Sequence, residues 1–130
     1  MRDINLIIIH CSDSDIKSHD NPETIRKWHV EERGFNDIGY HYVITKDGKR
    51  WPGRREAVPG AHARGHNANS LGICLTGRKK FSEKQRNSLK VLVNKLLVKY
   101  PGSKVIGHCE VSDKTCPNFD YKKVLKDYID

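Results

Sequence analysis

Leu6-Ile7-Ile8-Ile9-His10 is a continuous apolar run that ends in a histidine. A run without polar residues offers no face to water, so it predicts a strand buried on both sides near the centre of a sheet. Residues 71–76 predict a second apolar strand, and residues 104–108 predict a third, which ends in His108.

Helix signals separate these strands. Asn21-Pro22-Glu23 supplies an N-cap acceptor, a proline for the first helical position and an acid near the positive end of the helix dipole. Ser82-Glu83 begins the longest helix, which ends at Tyr100-Pro101-Gly102, and Asp120 caps a short helix that runs to Ile129.

Residues 38–45 predict one more strand, with Tyr40, Tyr42 and Ile44 on one face, and the hairpin turn at residues 46–49 follows it. The order of strands and helices predicts an α/β fold. We expect a single domain, residues 1–130, in which a mixed central β-sheet is flanked by helices.

The chain is basic, since it has 24 lysines and arginines and 16 acidic residues, which give a net charge of +8. This charge predicts a polyanionic partner, and nucleic acid, an anionic membrane surface and an anionic cell-wall polymer all satisfy it. No apolar run approaches the length of a membrane span, so we expect no membrane insertion. No signal sequence precedes the first strand, so we expect the protein to be made in the cytoplasm without an export signal.

The segment of residues 107–120 is dense in metal donors. His108 and Cys116 lie eight positions apart, and His10 ends a strand that we expect to lie nearby. Two histidines and a thiolate leave one tetrahedral position of a zinc ion for water, which is the pattern of a catalytic site. The alternative is that these histidines lie at strand ends by chance, and the residues alone favour neither interpretation.

The remaining cysteines are expected to be reduced and structural. Cys11 and Cys109 each follow a candidate ligand, so on a strand their side chains point to the opposite face, and Cys74 fits an apolar core. A disulfide between Cys11 and Cys109 stays open as an alternative. The long loop of residues 52–69 is rich in glycine and histidine, and such loops are more often functional than idle.

Six ordered blocks now carry a family resemblance. They are Ile9-His10-Cys11-Ser12, Ile25-Arg26-Lys27-Trp28-His29, Asp37-Ile38-Gly39-Tyr40-His41-Tyr42, His62-Ala63-Arg64-Gly65-His66-Asn67, Asn69-Ser70-Leu71-Gly72-Ile73-Cys74-Leu75, and His108-Cys109-Glu110-Val111 with Lys114-Thr115-Cys116-Pro117. Together they resemble the zinc-dependent N-acetylmuramoyl-L-alanine amidases, a family that includes the peptidoglycan recognition proteins and small phage endolysins. The likeness extends over nearly the whole chain.

The resemblance implies a role for each matching residue. The family's zinc ligands fall on His10, His108 and Cys116, with one Zn²⁺ per chain, and its catalytic tyrosine and lysine fall on Tyr40 and Lys114. The substrate groove is implied to be lined by four residues of the long loop: His62, Arg64, Asn67 and Asn69. Two features depart from the family: Cys109 stands where relatives often carry a basic or imidazole side chain, and the chain begins almost directly at its first strand.

The implied activity is hydrolysis of the amide that joins the lactyl group of N-acetylmuramic acid to L-alanine in peptidoglycan. We expect a monomeric phage or prophage endolysin that is made in the host cytoplasm and reaches the wall after the membrane is breached. One alternative is a peptidoglycan-binding module without activity, but such relatives lose the cysteine that Cys116 supplies. The other is a nucleic-acid-binding or transcription-regulating protein, against which no helix carries a basic stripe interleaved with aromatics.

Overall fold

A five-stranded mixed sheet organises the fold in the computed structural model, which describes residues 2–128. The sheet has the strand order β3-β2-β4-β1-β5. The strands and helices are β1 (Leu6–Cys11), α1 (Pro22–Lys27), β2 (Tyr42–Ile44), β3 (Arg50–Pro52), β4 (Ser70–Leu75), α2 (Glu83–Lys99), β5 (Lys104–Gly107) and α3 (Tyr121–Val124). The predicted α/β class, with a mixed central sheet flanked by helices, is confirmed.

β1 lies inside the sheet, as its apolar sequence predicts. It pairs in parallel with β4 on one side and with β5 on the other, while β2 runs parallel to β4 and antiparallel to β3. Because Ile9 is in register with Gly107, the residues that follow, His10 and His108, emerge at the same edge of the sheet. Strand pairing thus brings a residue near the N-terminus and a residue near the C-terminus to the same edge of the sheet.

The two faces of the sheet bury different partners. Toward α2, β1 and β4 contribute Ile7, Ile9, Leu71, Ile73 and Leu75, which pack against the helix residues Leu89, Leu92, Val93 and Leu96. The opposite face, which we call the site face, carries His10 and Cys74 in register. A smaller cluster there joins Ile25 of α1 to Ile38, Val43 and Cys74.

The predicted helix starts are confirmed. The Asn21 side chain accepts the amide N–H of Thr24, and Ser82 forms a reciprocal capping box with Gln85. The chain after α1 continues as a π-helical turn, Trp28–Glu32. Asp120 caps α3, and the predicted end of that helix, Ile129, lies outside the described residues. No helix within residues 2–128 is long and apolar enough to cross a bilayer.

The strand predicted over residues 38–45 is wrong in length, because regular pairing begins only at Tyr42. The face prediction is confirmed for Tyr42 and Ile44, which both pack toward α2, and is wrong for Tyr40, which packs with the cluster on the site face. Before Tyr42 the backbone bonds outward to the long loop, and the amide of Arg54 donates to the Tyr40 carbonyl at 3.0 Å. The pleat therefore does not extend back to Tyr40.

Candidate active site

Three metal donors converge at the edge of the sheet where β1 and β5 end. The donor atoms of His10, His108 and Cys116 all lie within 4.8 Å of one another. His10 comes from β1, His108 begins a 3-10 turn directly after β5, and Cys116 comes from the loop that follows. Two imidazoles and a thiol are the donor types that a catalytic zinc site with three protein ligands uses.

Burial sets the ionisation of the two imidazoles. His10 is 1% exposed, and burial lowers its pKa well below the ordinary value, with further lowering by His62 and His108. Burial also lowers the pKa of His108, and the nearby Lys114 lowers it further. Both rings are therefore neutral near pH 7, which is the form that binds a metal.

The backbone of β1 holds the sulfur of Cys116. The amide N–H of Cys11 donates to Cys116 Sγ at 2.8 Å, and the Cys11 carbonyl lies 3.6 Å from the same sulfur. The hydrogen bond with the Cys11 thiol, followed by burial, raises the pKa of the Cys116 thiol. A coordinating cation deprotonates such a thiol outright, so metal binding at this position releases a proton.

Tyr40 lies beside the donor cluster, with its ring 5.0 Å from that of His10. Burial raises the pKa of its phenol well above the ordinary value, and the thiols of Cys74 and Cys116 add to the effect. The ring also contacts that of His29, with the centroids 5.3 Å apart and the planes tilted by 55°. His29 Nδ1 in turn accepts the Gly39 amide at 2.8 Å. The phenol is therefore a fixed, protonated hydrogen-bond donor.

His62 reaches the same cluster from the long loop. Its Nδ1 lies 2.8 Å from His10 Nε2, and its Nε2 lies 3.2 Å from Ser70 Oγ. Burial lowers the pKa of His62 to about 3. The ring rests on the backbone of Gly72, where a Cβ would stand 2.7 Å from ring carbon Cγ, so a glycine is required beneath it.

A cleft of about 690 Å³ opens over these groups. His108, Cys116, Tyr40 and His62 line it, and so do the exposed side chains Arg64 and Lys114. The structure thus brings the candidate ligands together with both candidate catalytic residues. It also brings three cationic side chains to the cleft, those of Arg33, Arg64 and Lys114.

Two predicted groove residues have other contacts. Asn67 lines the cleft, but its Oδ1 accepts the backbone amides of His62 and Ala63 at 3.0 and 2.9 Å and so holds the loop in shape. Asn69 is not among the residues that line the cleft. Its Nδ2 donates to Asn5 Oδ1 at 3.0 Å, at the outer end of the loop.

The sequence did not indicate several lining residues, including Arg33, Phe35 and Asn118. Cys11, predicted to be a structural thiol, also lines the cleft. Its position directly after His10 was the sequence signal that could have placed it near the site. All four cysteines are free, with Cys11 buried and Cys109 exposed, so the disulfide alternative is not formed. The Glu110 carboxylate accepts the Gly107 amide at 3.1 Å and caps the turn that begins with His108.

Comparisons with known proteins agree on one family. The family model described as N-acetylmuramoyl-L-alanine amidase matches residues 1–119. The endolysin of Escherichia phage T7 is 40% identical over 125 residues, which span 90% of this chain and 82% of that protein. Peptidoglycan-recognition protein LB of Drosophila melanogaster is 36% identical over 124 residues, 85% of this chain and 53% of that protein.

Solved structures give the same result. The amidase LysC of Clostridium intestinale superimposes with a TM-score of 0.89 at 31% identity, covering 99% of this chain and 88% of that one. Wild-type Drosophila peptidoglycan recognition protein LB superimposes with a TM-score of 0.83 at 31% identity, covering 98% and 82%. On its sequence match and its structure, the chain belongs to the N-acetylmuramoyl-L-alanine amidase family.

Proposed function

We propose that this protein is a zinc-dependent N-acetylmuramoyl-L-alanine amidase that acts as a phage or prophage endolysin. It hydrolyses the amide between the lactyl group of N-acetylmuramic acid and L-alanine in bacterial peptidoglycan. The observation that carries the proposal is the convergence of the donor atoms of His10, His108 and Cys116 beside a cleft. His108 and Cys116 line this cleft together with Tyr40 and Lys114.

The donor set fits a zinc ion. Its two imidazoles are neutral and its thiol accepts a backbone N–H. Its three donor atoms lie within 4.8 Å of one another, so one zinc ion would be held by all three. His108 and Cys116 also line the cleft, so an ion held there is accessible to substrate. When bound, zinc lowers the pKa of a water molecule toward ~7 and polarises a carbonyl.

The chain's own residues then bind and orient the reacting groups. The phenol of Tyr40 is a donor in a buried setting, so it is suited to orient the attacking water or to stabilise negative charge on the carbonyl oxygen. The ammonium of Lys114, near His108, adds positive charge where the oxyanion develops. Arg64 at the cleft wall is free to bind the substrate. His62 has both ring nitrogens against His10 and Ser70, so it contacts the substrate through its ring.

The cellular setting belongs to the same proposal. The protein acts as a monomer on the cell wall, without a nucleic-acid partner, and reaches the wall from the host cytoplasm once the membrane is breached. The net charge of +8 supports attraction to an anionic wall. The resemblance to phage endolysins supports this path from the host cytoplasm to the cell wall.

The decisive experiment digests purified peptidoglycan with and without a chelator and identifies the products by mass. We expect glycan strands free of peptide and peptides that begin with L-alanine, and we expect the chelator to prevent both. Binding of the wall without cleavage would instead identify a recognition module.

Cys116→Ser tests the metal directly. We expect the variant to lose bound zinc, with about one zinc per chain in the unsubstituted protein, and to lose activity while its fold is retained, because a serine hydroxyl is a poor zinc ligand. Cys109→Ser is the matched control, since Cys109 is exposed and free. Full cleavage by the Cys116→Ser protein would refute the mechanism.

A further inference from the structure

Arg2 makes an unusual set of contacts, although nothing in the sequence distinguishes it from the other lysines and arginines. Its Nε donates to the Glu56 carbonyl at 3.0 Å. Its Nη1 donates to the carbonyls of Asn67, Ala68 and Ser70 at 3.1, 3.2 and 2.9 Å. One guanidinium thus binds four backbone oxygens that are far from it in sequence.

These oxygens lie at the two ends of one loop, residues 56–70. Glu56 is at its beginning, and the other three carbonyls belong to the 3-10 turn Asn67–Asn69 and to the first residue of β4. The middle of the loop carries His62 and Arg64 into the cleft. Arg2 therefore joins the ends of the loop without itself lining the cleft.

The neighbours of Arg2 hold the same loop. Arg2 Nη2 lies 3.1 Å from His41 Nε2, and that nitrogen lies 2.8 Å from the Val58 carbonyl. Since His41 Nδ1 accepts the Gly72 amide at 3.1 Å, Nε2 carries the proton and donates a hydrogen bond to the Val58 carbonyl, so its approach to Arg2 Nη2 is a contact and not a hydrogen bond.

Glu56 is fixed in turn from outside the loop. Its carboxylate accepts hydrogen bonds from the hydroxyls of Tyr42 and Tyr100, the latter at 2.6 Å, and pairs with Lys99 at 2.9 Å. The end of the loop that Arg2 Nε binds is thus anchored to β2 and to the end of α2.

We propose that Arg2 is a positioning residue: by joining both ends of loop 56–70, it fixes His62 against His10. An arginine suits this task because its planar fork presents five donors in fixed directions, whereas a lysine ammonium cannot reach both ends of the loop at once. The effect on catalysis rests on the proposed amidase function, but the effect on the loop does not.

Amide hydrogen exchange tests the loop independently of activity. In Arg2→Ala we expect exchange in residues 57–69 to accelerate by about 10-fold or more, while α2 keeps its protection, because the loop opens locally. Arg2→Lys should show much of the same acceleration. Arg26→Ala is the control, since Arg26 makes only an exposed pair with Asp37. Unchanged loop exchange in Arg2→Ala would overturn the proposal.

A double-mutant cycle with His62→Ala tests the route to catalysis in the zinc-loaded protein. We expect Arg2→Ala to lower kcat by roughly 10-fold to 100-fold, since small displacements of a positioned group cost that much. In the His62→Ala background, Arg2→Ala should lower kcat little further, because the side chain that Arg2 positions is already absent. Additive losses would show that Arg2 acts only through general stability and would overturn the proposal.

Arg2→Lys covers the case in which Arg2→Ala does not fold. A folded Arg2→Lys protein with full turnover and unaltered loop exchange would overturn the proposal as well. Absence of amidase activity in the unsubstituted protein would instead refute the proposed function, and the exchange comparison would still decide whether Arg2 holds the loop.

Discussion

At the residue scale, the groups proposed to hold a metal differ in environment from the group proposed to act on substrate. His10 is almost fully buried, whereas Lys114 is exposed in the loop between the two C-terminal ligands. Its amide donates to Ser112 Oγ at 3.1 Å, which fixes the loop backbone but leaves the ammonium free to turn toward the cleft. An exposed cation close to a buried site is suited to respond to charge that appears during the reaction.

Lys114→Ala should therefore lower turnover more than wall binding. We expect kcat to fall by about 10²-fold, the lower end of the range for the loss of one oxyanion-stabilising group, because solvent screens this one. Binding to intact wall should change by no more than a few-fold. Lys95→Ala, an exposed lysine of α2, is the control. Equal losses in kcat and in binding would make Lys114 a substrate-binding residue.

The sequence identified the residues with distinctive chemistry more readily than those with a geometric role. His10 and His108 were predictable because each ends an apolar run, and strand ends on one edge of a sheet come together. The place of Asn69 and the role of Arg2 were not predictable. Asn69 bonds the side chain of distant Asn5 and Arg2 bonds distant backbone carbonyls, and such hydrogen bonds leave no periodicity or spacing in the sequence.

At the element scale, α2 is docked to the sheet by one buried amide as well as by its leucines. Gln85 is 0% exposed, and its Nε2 donates to the carbonyls of Ile44 and Thr76 at 3.0 and 2.8 Å. Its Oε1 accepts the Ser82 amide at 2.9 Å, which closes the capping box. The helix start is thus bonded to the ends of β2 and β4.

Gln85→Leu should lower the free energy of unfolding by about 2–3 kcal/mol. It removes the side-chain donor to the Thr76 carbonyl and the acceptor of the Ser82 amide, while the Ile44 carbonyl keeps the amide of Thr76 as a donor. Urea unfolding measures the change. Asn94→Leu, at an exposed position of the same helix, makes a similar amide-to-leucine change without that cost. A loss below about 1 kcal/mol in Gln85→Leu would mean that leucine packing alone docks the helix.

Asp15 joins two loops and should make stability depend on acid. Its carboxylate accepts the amides of Arg78, Lys79 and Lys80 at 2.8, 3.0 and 3.2 Å. The bond from Arg78, followed by the other amides and Lys46, lowers the pKa of Asp15 to about 2. Because the folded pKa lies below the ordinary value of 3.8, the stabilisation is complete above that value and is lost as pH falls toward 2.

Asp15→Asn should consequently melt below the unsubstituted protein at pH 5–7, and the difference should vanish near pH 2. We expect an effect no larger than about 1 kcal/mol, because the site is close to solvent. Thermal melts across this pH range measure it. Asp127→Asn, at an exposed position near the C-terminus, is the control. A difference that persists unchanged at pH 2 would show that the amides do not bind the charged form.

Elements with strong local signals were predicted well, and those shaped by the rest of the fold were not. The Ser82 cap and the leucine spacing of α2 are local, so its bounds followed from the sequence. The strand predicted at residues 38–45 was too long because the long loop bonds to Tyr40 and His41. Tertiary hydrogen bonds outcompeted the local alternation there.

At the scale of the whole molecule, the sheet assembles the site from both ends of the chain. β1 supplies His10, its neighbour β5 leads to His108 and Cys116, and the loop before β4 supplies His62. Because the site needs all of these segments in place, its geometry depends on the complete fold. The adjacency of β1 and β5 is a property of topology, which apolar patterning suggests but does not determine.

The net charge of +8 also acts at this scale, and it leads to a prediction about salt. Attraction between a basic protein and an anionic wall weakens as the screening length shrinks from about 10 Å at 0.1 M salt to about 3 Å at 1 M. The donor atoms of the proposed metal site lie within 4.8 Å of one another, and salt screens their interactions much less, although it does reach the exposed Lys114. We therefore expect KM for wall cleavage to rise several-fold between low and high salt, while kcat changes little.

Turnover assays on purified wall over a range of salt concentrations measure both constants, and a gel shift with DNA at near-physiological salt is the companion test. The same charge predicts only weak, sequence-independent DNA binding that disappears as salt is added. A KM that does not respond to salt would show that the charge does not serve wall binding. Tight, sequence-dependent DNA binding at that salt would mean that the positive charge serves a nucleic-acid partner.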